Sequence, residues 1–341
     1  MTTRRGDMII RPPAAGNALH ELLEGGRRFS GSYAGGFASH LPMALVALHG
    51  LGAEETRLRE FASFYEKRLR AMAPAESDLR NSGWRAGINR PECEAAVAEV
   101  LEEEIARRGA GSVLSEILPE LTSGLGSAAF HGLIRTAYAV DSGDDADLPG
   151  ALSYWIVAYH DLRPVREPER FATAAAAFAA MHDDTRFDNV ELQRSIDASM
   201  AEVTRLPAFT EYCGPVPDLD LSQLARIAVS IYLATADFTA LHLVTACHAT
   251  RVLERYLSDE ALTHLLIAML AAYGTLRRPA FDPAPRLAPP SDRASLAARA
   301  IESNDDHDLK LVYSALREES VYGWGLHHAA AWLRLSTTAG S

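Results

Sequence analysis

His307 and Lys310 stand three residues apart in the segment Asn304-Asp305-Asp306-His307-Asp308-Leu309-Lys310-Leu311-Val312-Tyr313. On a helix that spacing turns the two side chains by about 300°, so they share one face. Of the 33 basic residues, only Lys67 and Lys310 are lysines; the rest are arginine. Arginine keeps its proton in a protein, whereas a desolvated lysine can lose it. A lysine retained where arginine is the habit is a candidate for chemistry that needs a neutral amine. The plain alternative is a solvated lysine, since lysines are mostly exposed.

Three more histidines have informative surroundings. His40 lies in Ser39-His40-Leu41-Pro42-Met43-Ala44-Leu45, at an expected helix start. His131 lies in Phe130-His131-Gly132-Leu133-Ile134-Arg135-Thr136-Ala137-Tyr138. Arg135 and Tyr138 follow it at i+4 and i+7 and share its helical face, and Gly132 is expected to leave space beside the imidazole. His242 lies in Leu241-His242-Leu243-Val244-Thr245-Ala246-Cys247-His248, inside an otherwise apolar helix. A histidine in such a helix is usually a core residue satisfied by one hydrogen bond. Buried imidazoles converging from separate helices are, alternatively, how a helical bundle builds a metal site, and imidazole suits iron, copper, zinc and nickel. The sequence has no HExxH, no Glu-x-x-His pair of the di-iron type and no local cluster, so spacing alone leaves both readings open.

The elements that would position these residues are helical nearly throughout. Ala95 to Ala106 reads as an acidic amphipathic helix started by Arg90-Pro91-Glu92. Ala174 to Ala180 is alanine-dense, which favours helix. Ile227 to Leu257 contains neither glycine nor proline, which predicts one long helix or two nearly continuous ones. Ser291 to Ser303 and Asp306 to Glu319 read as two further helices, with Asp305 or Asp306 as N-cap of the second. Alternating strand patterns are scarce. Breaks at Ser142–Leu148, Cys213–Asp220 and Pro279–Pro290 do not read as domain linkers, and no tandem repeat is visible. The expectation is an all-α protein: an N-terminal tail over 1–16 and a single large helical domain over 17–338, in which a metal site buried between helices is one of the two readings left open.

The 341 residues are 48% hydrophobic, enough for a sizeable core. A net charge of −12 without a basic patch speaks against nucleic acid and against an acidic membrane surface. The longest apolar stretch, Leu224 to Leu253, carries Arg226, Asp237, His242, His248 and Arg251, too many polar groups for a membrane span. Three scattered cysteines, Cys93, Cys213 and Cys247, point to a reducing compartment, and the first residues lack the apolar core of a signal peptide; a cytoplasmic location is expected. No GxGxxG follows a strand and no GxSxG is present, so neither a dinucleotide or flavin site nor a serine hydrolase is expected.

Four segments, in order, resemble the questin oxidase-like family: His40-Leu41-Pro42-Met43-Ala44-Leu45 with Leu51-Gly52-Ala53, Phe130 to Tyr138, His242-Leu243-Val244-Thr245, and Asp306 to Val312. The resemblance runs from about residue 17 to the C-terminal region. It implies an enzyme of secondary metabolism that oxidises a small aromatic polyketide, opening an anthraquinone- or anthrone-type ring with O2 in a Baeyer–Villiger-like or dioxygenase-like reaction. It also implies a non-haem iron held by histidines and a carboxylated lysine. Carried over by motif, His40, His131 and His242 become ligands and Lys310 the carbamate. The fourth histidine stays open between His307 and His248. His307 is convergent with Lys310, whereas His248 follows His242 by six residues and points about 120° away, which favours His307 and leaves His248 as a pocket or supporting residue.

A buried lysine has its charged form disfavoured and can offer the neutral amine that captures CO2. Electrons would come from the substrate or a separate reductase. Arg135 could pair with a substrate phenolate or form a structural ion pair. Tyr138 and Tyr313 could hydrogen-bond quinone oxygens or simply pack, and Trp84, Trp155 and Trp324 could line a flat pocket or fill the core. His327-His328 is expected at the surface; His20, His49, His160, His182 and His264 are given no role. The rival readings are a metal-dependent hydrolase with a carboxylated lysine and a non-catalytic helical protein that binds a small molecule.

Overall fold

Fifteen α-helices occur among the described residues of the computed structural model, which are 16–75, 79–162, 168–285 and 291–338. They are α1 (Asn17–Gly26), α2 (Leu41–Leu51), α3 (Glu55–Tyr65), α4 (Glu94–Arg108), α5 (Ala110–Leu121), α6 (His131–Asp141), α7 (Leu148–Val157), α8 (Ala174–Asp183), α9 (Ile196–Arg205), α10 (Leu221–Thr235), α11 (Phe238–Leu253), α12 (Ala261–Thr275), α13 (Arg293–Glu302), α14 (Asp306–Tyr322) and α15 (Leu326–Thr338). Short 3-10 turns join several of them. The one sheet among these residues is a hairpin of β1 (Ser32–Tyr33) and β2 (Phe37–Ala38), antiparallel with Ser32 opposite Ala38. The fold is thus all-α and forms one domain. Most of the expected tail, residues 1–15, lies outside the described residues, as does 286–290 of the Pro279–Pro290 break.

Helices buried on every side make the centre. Along α2 every residue from Leu41 to Leu48 is buried, and α7 and α12 are buried almost end to end. A helix apolar all round has no face to offer water and must be enclosed. The amphipathic helices α1, α4 and α9 supply the enclosing layer, each burying one stripe. One apolar core runs from Leu19 to Ala330, and a smaller cluster joins α13, α14 and α15.

The stretch Ile227–Leu257 is two helices with a corner between them. Ala236 turns left-handed at φ 50°, and the Asp237 carboxylate accepts from Thr239 N–H at 2.6 Å, which starts α11 in a new direction. Asp305 likewise caps α14, accepting from His307 N–H at 2.8 Å. The helix over Ala95–Ala106 extends to Glu94–Arg108 behind a Pro91–Cys93 turn. Among the described residues no helix is long and apolar enough to cross a membrane.

Candidate metal centre

Four helices, α2, α6, α11 and α14, pack in a circuit: α2 on α6, α6 on α11, α11 on α14, and α14 back on α2. Each carries one histidine at or near its N-terminal end. His40 is the N-cap of α2, His131 the first residue of α6, His242 the fifth of α11 and His307 the second of α14. The imidazoles follow the same circuit. Ring centroids lie 4.7 Å apart for His40–His131, 4.9 Å for His131–His242, 5.8 Å for His242–His307 and 4.7 Å for His307–His40. The fourth histidine of the cluster is therefore His307.

The tautomers follow from the hydrogen bonds. His131 Nδ1 lies 2.5 Å from the Ala128 carbonyl and His242 Nδ1 2.8 Å from the Phe238 carbonyl. A carbonyl only accepts, so each Nδ1 donates and the lone pair is left on Nε2. His40 Nδ1 is bonded to the Asp306 carboxylate, and His307 Nδ1 lies 3.4 Å from both Asp305 and Asp306. All four Nε2 atoms are buried and without a hydrogen-bond partner. A single orphaned buried nitrogen is costly; four on rings that touch in succession leave a place where a shared partner would fit. Nδ1 fixed by a carbonyl or carboxylate, with Nε2 free, is also how metal-binding histidines are ordinarily held. The donor set fits a first-row transition metal.

Burial, followed by the fields of the neighbouring imidazoles and Lys310, holds His40, His131 and His242 well below the usual histidine range. His307 is lowered by burial and then by Lys310, against the pull of Asp305 and Asp306. Shifted in this direction, the four imidazoles favour the neutral form that a metal ligand requires. The helix N-termini gathered here add positive potential, which also favours neutral imidazole and welcomes an anion.

Lys310 is 1% exposed, and its Nζ lies 3.0 Å from His40 Nδ1. Burial lowers its pKa to about 8, only partly offset by Asp306 and Asp305. Burial alone would raise Asp306, but His40, His307 and Lys310 around it keep its carboxyl well below the ordinary range. Asp306, together with His40 and His307, forms the tightest group of metal-type side chains among the described residues. Sequence reading treated Asp306 only as a possible helix cap. The available signal was its place next to His307; its partner His40 is 266 positions away.

The remaining candidates lie elsewhere. Arg135 is bound by Asp147 through two hydrogen bonds of 3.1 and 2.6 Å, and both are buried; it is taken up in a structural ion pair between α6 and the start of α7. The Tyr138 hydroxyl is spent on the Lys310 carbonyl at 2.9 Å and on Ser314 Oγ at 2.7 Å, so it fixes the α14 backbone instead of facing the imidazoles. His248 bonds Glu318 at 2.7 Å, and Arg251 bonds the same carboxylate at 2.8 and 2.5 Å. It belongs to a second buried network further along α11, where Tyr313 donates to Asp141 and Arg317 pairs with it.

Gly132 leaves no open space beside His131: a Cβ there would meet the Trp155 indole at 2.5 Å, so the glycine admits that ring into the core. Trp155 is fully buried; Trp84 and Trp324 carry Arg85 and Arg226 over their faces instead of lining the cluster. His327 is not at the surface. It is 1% exposed and stacked on Tyr322 and Trp324, because α15 folds back on α14 and α10.

The fold and this cluster define a class: an all-α protein that lines up four buried imidazoles, a carboxylate and a desolvated lysine between α2, α6, α11 and α14. Residues 37–315 match the family described as questin oxidase-like, and the chain belongs to that family. No curated protein matches it. The family's description is that of an oxidase, and hence of an enzyme.

Proposed function

We propose that this protein is a mononuclear non-haem iron oxygenase that cleaves a ring of an anthraquinone- or anthrone-type aromatic polyketide. The observation that carries this reading is the set of four buried, partnerless Nε2 atoms, each on an imidazole whose Nδ1 is tied elsewhere. His40, His131, His242 and His307 would hold the metal. Lys310, in its neutral form, would take up CO2 and contribute an anionic oxygen as its carbamate. Bound there, iron would supply O2 activation and one-electron chemistry.

The protein's own part is orientation, charge and dryness. The Ala128 and Phe238 carbonyls fix the ligand tautomers. The Asp306 carboxylate holds the His40 ring through its Nδ1, and Asp305 and Asp306 flank the His307 Nδ1. Burial of the rings keeps bulk water from the reacting atoms. His248 Nε2 and His327 Nδ1 also lack a hydrogen-bond partner outside the cluster, so it is the succession of four such rings on four helices that argues against the core-histidine reading.

Elemental analysis of protein made without a His-tag or chelators, beside His131→Ala, Lys310→Ala and Lys310→Arg, tests the centre. About one iron per chain is expected in the parent, with strong loss in all three variants while circular dichroism stays helical. His248→Ala should keep the metal. Oxygen uptake with anthraquinones and anthrones then tests the reaction. Metal-free parent protein after anaerobic Fe(II) reconstitution would refute the metal reading, and substrate turnover under nitrogen would refute the oxygenase.

A further inference from the structure

Phe238 is the first residue of α11, at the corner made by Ala236 and Asp237, and it is 47% exposed. Its ring centroid lies 4.5 Å from that of His307 and 4.9 Å from that of His242. Among the described residues it is the aromatic side chain that both stays largely in water and packs on members of the imidazole cluster. Nothing in the helix requires an aromatic there. The N-cap is Asp237, and the bond to His242 uses the Phe238 carbonyl, which any residue would offer. A half-exposed ring forgoes part of the stabilisation that full burial would contribute.

The exposure of the cluster points the same way. His242 is 0% exposed, whereas the His307 side chain, beside Phe238, is 15% exposed, the most open of the four. Of the four rings, the one packed on Phe238 is therefore the one that reaches solvent most.

We infer that Phe238 is the stacking platform for a flat aromatic substrate at the entrance to the imidazole centre. This rests on the reading above for the class of substrate, and it adds the residue that recognises it. A planar fused-ring quinone laid on the Phe238 face gains offset stacking with an aromatic whose position is already fixed by two imidazoles. Phe238 acts by positioning; it exchanges no proton or electron.

The test is equilibrium binding of anthraquinone-2-sulfonate, followed by quenching of tryptophan fluorescence, with metal content determined on the same samples. Phe238→Ala, Phe238→Trp and Phe64→Ala are compared with the parent; Phe64 is 41% exposed on α3 and serves as an exposed-ring control. Phe238→Ala should weaken binding about five-fold, the scale of one aromatic stack, without loss of metal. Phe238→Trp should restore it and Phe64→Ala should leave it unchanged. Equal binding by the parent and Phe238→Ala would overturn the inference, as would a parent that does not bind the probe. A parent that lacks metal yet binds the probe through Phe238 would sink the metal reading and leave this inference standing.

Discussion

Asp306 connects two of the four imidazoles through one carboxylate, bonded to His40 Nδ1 and 3.4 Å from His307 Nδ1. A carboxylate on the far nitrogen raises the basicity of the ligating one and fixes the ring's rotation. Removing it should loosen the metal without removing a ligand. Asp306→Ala is expected to weaken Fe(II) or Co(II) binding by roughly 10- to 100-fold, with Asp306→Asn in between because its amide oxygen still accepts. Anaerobic metal titration decides, and unchanged affinity in both variants would show that the carboxylate serves packing alone. The histidines and Lys310 were legible in the sequence by type and neighbourhood, and the pairing of His307 with Lys310 by helical spacing. The Asp306–His40 bond was not, since it joins positions 266 apart and no periodicity reaches that far. Arg135 and Tyr138 stay between two readings in the sequence for a related reason. A shared helical face predicts which residues lie on one side, but not that Asp147 and Ser314 would claim them first.

At the scale of elements, the turn that delivers His131 is the unusual one. Ala128, Ala129 and Phe130 are all left-handed, at φ 49°, 54° and 68°. Left-handed backbone costs an L-residue about 1–2 kcal/mol each, so the surroundings must hold it. Phe130 is fully buried, the Ala129 N–H reaches Asp197 at 3.3 Å, and His131 Nδ1 ties back to the Ala128 carbonyl. The strain is concentrated next to a candidate ligand, where backbone strain commonly serves function. Ala129→Gly should be tolerated, with an unchanged or higher melting temperature, because glycine adopts this conformation freely. Ala129→Val adds β-branching where φ is positive and should cost about 2 kcal/mol or more, along with metal occupancy. Thermal melts and elemental analysis of the pair check this; equal melting of the two variants would mean that the turn is not under strain. Gly132→Ala should also destabilise, since its Cβ would meet the Trp155 ring. The helices themselves were readable from alanine density, capping aspartates and apolar spacing. The corner at Ala236 was not, because alanine carries no turn signal and only the Asp237 cap marks the break.

Over the whole molecule, a buried set of neutral imidazoles makes the fold sensitive to acid. His327 shows the effect away from the imidazole cluster. Buried among Tyr322, Trp324 and the α14 carboxylates, it has its pKa lowered from 6.5 to about 4, burial outweighing the pull of Glu318 and Glu319. Its folded pKa lies below its unfolded one, so between these values the unfolded chain binds more protons. Stability is then full above pH 6.5 and falls as the pH drops toward 4, by on the order of 3 kcal/mol. Glu318 continues the trend. Burial opposes its ionisation, but His248 and Arg251 bring it down to about 2 from 4.5, so the stability it contributes above pH 4.5 is lost toward pH 2. The four site histidines, also lowered, add to the first window in the metal-free protein. His327→Phe keeps an aromatic ring in the stack and removes one titrating group. Urea unfolding at a series of pH values between 7 and 4 should show the variant's free energy falling less steeply than the parent's, by up to about 1.4 kcal/mol per pH unit, the slope of one proton. Parallel curves would mean that His327 is already protonated in the folded protein, contrary to its burial in an aromatic stack.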